Sequence, residues 1–428
     1  MTSPVIGFAG LTHLGINSLA AAAARGFDTI GFHPDKDLVN LLSQGKLPIH
    51  EPGLPALFEE HQQRLNFSSN PEALRKCDLI YISVDVPTDD LGKSDLGVVE
   101  KTINIVTPVL KDDTLLVILC QVPPGFTRKM KFPRERLFYQ VETLIFGRAV
   151  ERAMYPERFI VGCADPNEAL PSSLETLLSA FECPILAMRY ESAELTKISI
   201  NMCLVSSVCV ANTMAELCEK VGADWSEVVP ALKLDKRIGQ YAYLKPGLGI
   251  AGGNLERDLA TVVRLADNYS GNAEVVKAWI ADSAYRKEWA LSRFNEIALI
   301  DGDLKTIGVL GLAYKENTAS LKNSAAIALL QNLTVQTKGY EIKAYDPEVK
   351  PEKITVKGVA VTQTAVEAYR NADVVMLMTP WPEFGDLAPN MLASEMKGNI
   401  LIDPYCVLDP KECAVAGLRH ITLGRPLD

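Results

Sequence analysis

Residues 192–221, SAELTKISINMCLVSSVCVANTMAELCEKV, run without a Pro or a Gly. Proline breaks a helix interior and glycine weakens one. The stretch therefore predicts one unbroken helix of about thirty residues, closed by Gly222 as its C-terminal cap. Ordinary helices have about ten to fourteen residues. A helix this long and this apolar needs a second copy to pack against, or two domains to join.

The sequence on either side favours two domains. Before the helix, the runs VIGFAG (5–10), DTIGFH (28–33), DLIYISVDV (78–86) and TLLVILCQV (114–122) read as buried strands. Helical stretches separate them, such as NSLAAAAARG (17–26). After the helix the alternation resumes with TIGVLGLAY (306–314), EIKAYDP (341–347), DVVMLMTPW (373–381) and NILIDPY (399–405). Strands alternating with helices make a parallel, doubly wound sheet. The expected class is α/β: two Rossmann-like doubly wound parallel-sheet domains joined by a long central helix. The expected boundaries are 1–190 for a dinucleotide-binding domain, 191–300 for a helical dimerisation domain and 301–428 for a second Rossmann-like domain.

A chain of 428 residues exceeds one core, and 48% hydrophobic with 22% charged residues excludes a disordered chain. The net charge of −10 argues against nucleic acid as a partner. The N-terminus enters a strand-like run without a secretory pattern, and the apolar runs stop short of a membrane span. Nine Cys occur without CxxC pairs, which suits reduced thiols in the cytoplasm. A cytoplasmic protein with no membrane partner and no metal is expected.

GLTHLG (10–15) follows the first strand and opens a helix, the context of a dinucleotide fingerprint. Gly10 and Gly15 are its first and third glycines, with Leu11 and Leu14 inside the turn, while Thr12 stands where the second glycine admits a pyrophosphate. The acidic residue expected after the second strand is His33, followed by Asp35 and Lys36. The dinucleotide expected is NAD, with NADP as the alternative.

Taken in order, EPGL (51–54), VDVPT (84–88), VPPGFTRK (122–129), ETLIFGRAVERAMYPERFIVG (142–162), AELTKISIN (193–201), DKRIG (235–239), PGLGIAGG (246–253), GLAYKENT (311–318), YDP (345–347) and PWPEF (380–384) resemble the UDP-glucose/GDP-mannose dehydrogenase family. The resemblance covers nearly the whole chain. It implies a homodimer built through the central helix, a C-terminal domain that binds a nucleotide sugar, and a place in polysaccharide biosynthesis. Such enzymes oxidise a sugar-nucleotide alcohol to a carboxylate by two hydride transfers to NAD. A Cys thiolate captures the intermediate aldehyde, because an aldehyde has no alcohol hydrogen to lose until a nucleophile adds to it.

Aligned on the glycine loop from Pro246, the family's Cys position is Asn254. The resemblance implies that Lys197 and Asn201, four residues apart on one helix face, contact the reacting oxygen. It assigns Asp258 and Glu142 to proton handling, with Arg257 in place of a family Lys. Thr88 and Gln121 would border the cofactor, Gln121 replacing a Thr and Cys120 the preceding Ser. Leu144, Tyr243, Gly249 and Gly252 would line the nucleotide sugar, while Tyr314 and Lys315 would meet its base and ribose. Arg237 would reach it across the dimer, and Tyr405 replaces a substrate-facing Arg. A UDP-sugar is favoured. With Asn254 for Cys, the expectation is a single oxidation to an aldehyde or ketone. The alternatives are an epimerase with tightly held NAD, or an inactive nucleotide-sugar binder.

Overall fold

The computed structural model describes residues 3–89, 92–302, 304–335 and 339–426. It divides into two compact units, Met1–Ile200 and Asn201–Asp428.

The first unit is built on eight strands: β1 (Ile6–Ala9), β2 (Thr29–Phe32), β3 (Leu65–Ser68), β4 (Leu79–Ile82), β5 (Leu115–Ile118), β6 (Leu137–Gln140), β7 (Phe159–Cys163) and β8 (Ile185–Arg189). Their order is β3-β2-β1-β4-β5-β6-β7-β8, which winds outward both ways from β1. Strands β1, β2, β4, β5 and β6 are buried along their whole length, so they read as continuous apolar runs. Successive side chains feed opposite faces. Phe8, Tyr81 and Val117 enter one core cluster, while Ala9, Ile80, Ile82, Leu116 and Ile118 enter the other.

One pairing departs from the expected parallel sheet: β6 and β7 are antiparallel. The segment between them is fastened locally, since Gly147 and Ala149 both donate backbone N–H groups to the Glu51 carboxylate. It returns beside β6 rather than carrying a helix across the sheet, and an antiparallel neighbour needs no such crossover.

The second unit carries β9 (Thr306–Leu310), β10 (Glu341–Tyr345), β11 (Val359–Val361), β12 (Val374–Leu377), β13 (Ile400–Ile402) and β14 (Arg419–Ile421). These form an all-parallel sheet in the order β11-β10-β9-β12-β13-β14.

The long helix spans Tyr190–Val221, 32 residues. The reading that no apolar run reaches membrane length fails here. Lys197 interrupts the run but not the helix, which is long and apolar enough to cross a bilayer by composition. One side of it packs inward, while Leu195, Val210, Met214, Leu217 and Val221 on it stay exposed. Val205 and Cys209 enter one cluster of the second unit, and Ala211, Ala215 and Cys218 another.

Candidate active site

In the first unit, the turn after β1 needs its two glycines. Gly10 has φ +111°, and a Cβ there would lie 2.4 Å from Val84 Cγ1. A Cβ on Gly15 would lie 1.8 Å from the Gly10 carbonyl oxygen. The helix His13–Ala24 can therefore start close against the strand, which is the geometry that receives a diphosphate. Leu11 and Leu14 send their side chains into the core and offer only backbone at the turn.

Thr12 has its own task. Its hydroxyl donates to the Ser83 carbonyl at 3.2 Å and accepts from the Asp85 N–H at 2.9 Å, tying the end of β4 to the turn. His13 Nε2 lies 2.9 Å from the buried Glu51 carboxylate.

On the adenosine side, His33 Nδ1 accepts from Asp35 N–H at 3.2 Å. Burial lowers the His33 pKa, so the ring is uncharged near neutral pH. Asp35 beside it caps the helix Lys36–Ser43 and leaves an acidic group after the second strand, where NAD-binding folds place one for the ribose. The residues present fit NAD. Thr88 forms an isolated antiparallel bridge with Ser94.

Gln121 follows Cys120, whose thiol is fully buried and donates to the Ile82 carbonyl at 3.1 Å. Burial pushes that thiol far up, which suits packing and not nucleophilic attack.

Glu142 and Lys197 meet at 2.8 Å, with side chains 18% and 13% exposed. The other Glu142 oxygen accepts from Leu144 N–H at 3.0 Å, which fixes the carboxylate beside Lys197. Leu144 itself packs against the core of the first unit.

Sequence reasoning missed Glu194. This fully buried carboxylate accepts from Gly125 N–H at 2.5 Å and Thr127 N–H at 2.9 Å, fixing the VPPGFTRK loop to the long helix. Burial pushes its carboxyl up. The available signal was an acid within AELTK, three residues before Lys197 on the same helix.

In the second unit, Asn201 donates to one Asp258 oxygen and Arg257 Nε approaches the other at 3.4 Å. All three are buried, Asp258 to 1% exposure. Three backbone donors pin the glycine loop: Gly247 N–H to Asn212 Oδ1 at 2.8 Å, Ile250 N–H to Ser283 Oγ at 2.7 Å and Gly252 N–H to the Lys322 carbonyl at 3.1 Å.

Glycine is required along this loop. At Gly249, φ +78°, a Cβ would lie 2.4 Å from the Ser283 carbonyl oxygen. At Gly252, φ +89°, it would lie 2.3 Å from the Tyr314 ring. Gly252 and Tyr314 therefore lie against each other, and Lys315 Nζ stands 5.9 Å from the same ring. Asn254 is the first residue of the helix Asn254–Asn268 and is exposed.

A cavity of about 730 Å³ opens beyond the carboxyl ends of β9, β13 and β14, lined by Tyr243, Lys245, Glu316, Tyr405 and Arg425. That is where ligands bind in open α/β sheets. Tyr405 takes its place by packing under the loop, since a Cβ on Gly247 would lie 3.3 Å from its ring. Burial pushes its hydroxyl up to about 12. Arg237 is 88% exposed and holds Asp235 with both arms of its guanidinium.

Comparison with known proteins identifies the family. Models of the UDP-glucose/GDP-mannose dehydrogenase family match in succession: its NAD binding domain over residues 5–182, its central domain over 191–282 and its UDP binding domain over 308–410. UDP-glucose 6-dehydrogenase of Rickettsia conorii is 30% identical over 98% of this chain and 99% of its own. UDP-glucose 6-dehydrogenase TuaD of Bacillus subtilis is 29% identical over 97% of this chain and 92% of its own. The solved UDP-glucose dehydrogenase of the archaeon Pyrobaculum islandicum has TM-score 0.83 and 25% identity, covering 99% of this chain and 97% of that one.

Proposed function

The chain belongs to the UDP-glucose/GDP-mannose dehydrogenase family as an NAD-dependent nucleotide-sugar oxidoreductase, and from this premise we propose that it oxidises a UDP-linked sugar once, by two electrons, and releases the carbonyl product.

Oxidising an alcohol removes a hydride from carbon and a proton from oxygen. NAD supplies the hydride acceptor. Lys197, ion-paired to Glu142 at 2.8 Å, supplies positive charge for an oxygen that becomes more negative as its proton leaves. Asp258, oriented by Asn201 and Arg257, accepts that proton directly or through a water. Tyr314, Lys315 and the glycine loop hold the nucleotide end.

A second oxidation would need a nucleophile to convert the aldehyde into an adduct with a hydride to give. The observation that carries the proposal is Asn254, exposed at the first helical position after the glycine loop and four residues before Asp258. Its amide nitrogen is delocalised and does not add to a carbonyl. Residues 246–258 contain no Cys.

Incubation with NAD and a panel of UDP-sugars tests this by NADH absorbance and product mass. One NADH per carbonyl product is expected. Two NADH with a carboxylate would overturn the single-step reading. A changed sugar without net NADH would make the protein an epimerase, and no change with any pair a binder.

The same premise supports a homodimer. Val210, Met214, Leu217 and Val221 are exposed on the long helix at spacings of four, three and four, the pattern of a helix–helix seam. Leu217→Arg is expected to shift the protein from dimer to monomer in sedimentation velocity. An unchanged mass would place the contact elsewhere.

A further inference from the structure

The first amides of a Rossmann helix normally receive the dinucleotide's diphosphate. In this chain one of the protein's own carboxylates has taken that place. Asp85 Oδ2 accepts from His13 N–H at 3.1 Å. His13 opens the helix His13–Ala24, and the Leu14 N–H beside it stands in the same first turn. The carboxylate is delivered by a built tether. Thr12 Oγ1 holds the Asp85 N–H at 2.9 Å and the Ser83 carbonyl at 3.2 Å, and Ser83 Oγ donates to the Gly10 carbonyl at 2.9 Å. The Thr that replaces the fingerprint's second glycine is thus the residue that strings Asp85 across the mouth of the turn. Asp85 is exposed as a residue, while the packing around its carboxyl pushes its pKa up from the ordinary value.

We propose that Asp85 is a tethered anion that competes with the NAD diphosphate for the amides of His13 and Leu14, and so sets the dinucleotide affinity of this protein. The inference rests on NAD binding at this turn. The Asp85 side chain must turn aside for the diphosphate to reach the amides. Any part of it that stays near adds a like charge. The cost is felt by diphosphate ligands and is screened by salt.

The test is calorimetric titration of NAD into the full-length wild type, Asp85→Asn, Asp85→Gly and Asp112→Asn at low and high ionic strength. Asp85→Asn keeps an acceptor oxygen for the His13 N–H, so its melting temperature is expected to hold. Asp112, exposed in the loop that enters β5, controls for net charge. Both Asp85 variants are expected to bind NAD about five- to tenfold more tightly than wild type at low salt, with the gap closing at high salt. Asp112→Asn is expected to match wild type. Equal or weaker NAD binding by both Asp85 variants, with wild type binding, would overturn the proposal and leave NAD binding at the turn intact. No NAD binding by any of the four, with a UDP-sugar still bound, would overturn both.

Discussion

Asp258→Asn is expected to lower kcat about a thousandfold while leaving NAD affinity unchanged, which is the loss typical of removing a positioned proton acceptor. The substitution keeps the shape of the side chain and removes its charge. It also introduces an NH₂ where both neighbours, Asn201 Nδ2 and Arg257 Nε, already donate. One donor then faces another in a buried site, a mismatch worth about 1–3 kcal/mol of stability. Two readouts separate these effects. If Asp258 only holds the helix Asn254–Asn268 against Asn201, the melting temperature falls and turnover per folded molecule stays near wild type, which would remove Asp258 from the chemistry. If it takes the proton, turnover falls in protein that is still folded at the assay temperature. Asp258→Glu, which restores the carboxylate at a changed reach, is then expected to recover part of the rate.

That Asp258 could be singled out at all reflects what a sequence makes legible. Lys197 and Asn201 share a face because the helix period is fixed. The resemblance named Glu142 and Asp258 for proton handling without saying which residue each would touch, and the structure sets Glu142 against Lys197 and Asp258 against Asn201. Strands whose burial on both faces made a continuous apolar run were visible, as in β1, β4, β5, β9 and β12, but β6, equally buried, was missed. The three-residue strands β11 and β14 were not visible either: β11 is three apolar residues at a half-exposed edge, and β14 opens on Arg and His.

Contacts that depend on long separations were hidden as well. Glu51 meets His13 across 38 residues and Ala149 across 98, so nothing in the local pattern announces that β7 will return antiparallel to β6. Thr12 was legible as a departure from the fingerprint. Its reason was not, because the partners of its hydroxyl lie on β4 and just beyond, more than seventy residues away.

Asn254→Cys is expected to convert the product from carbonyl to carboxylate and to raise the yield from one NADH per sugar to two. Position 254 is suited to a reactive thiol. It opens the helix Asn254–Asn268, whose unsatisfied N–H groups favour a thiolate, and Arg257 lies in the same first turn. The site is exposed, so the change is expected to alter stability by no more than about 0.5 kcal/mol. Gly253 before it, with φ +97°, continues to set the direction of the side chain. No native thiol competes from Cys120, which burial keeps protonated under the Ile82 carbonyl. Acid from the variant, with none from wild type, would make Asn254 the residue that stops the oxidation. If the variant still yields one NADH and a carbonyl, the introduced thiol is not enough, and the arrest lies with the other departures beside the cofactor. Gln121 and Cys120 stand there in place of a Thr and a Ser, and restoring those two in the Asn254→Cys background is then the change expected to release the second step.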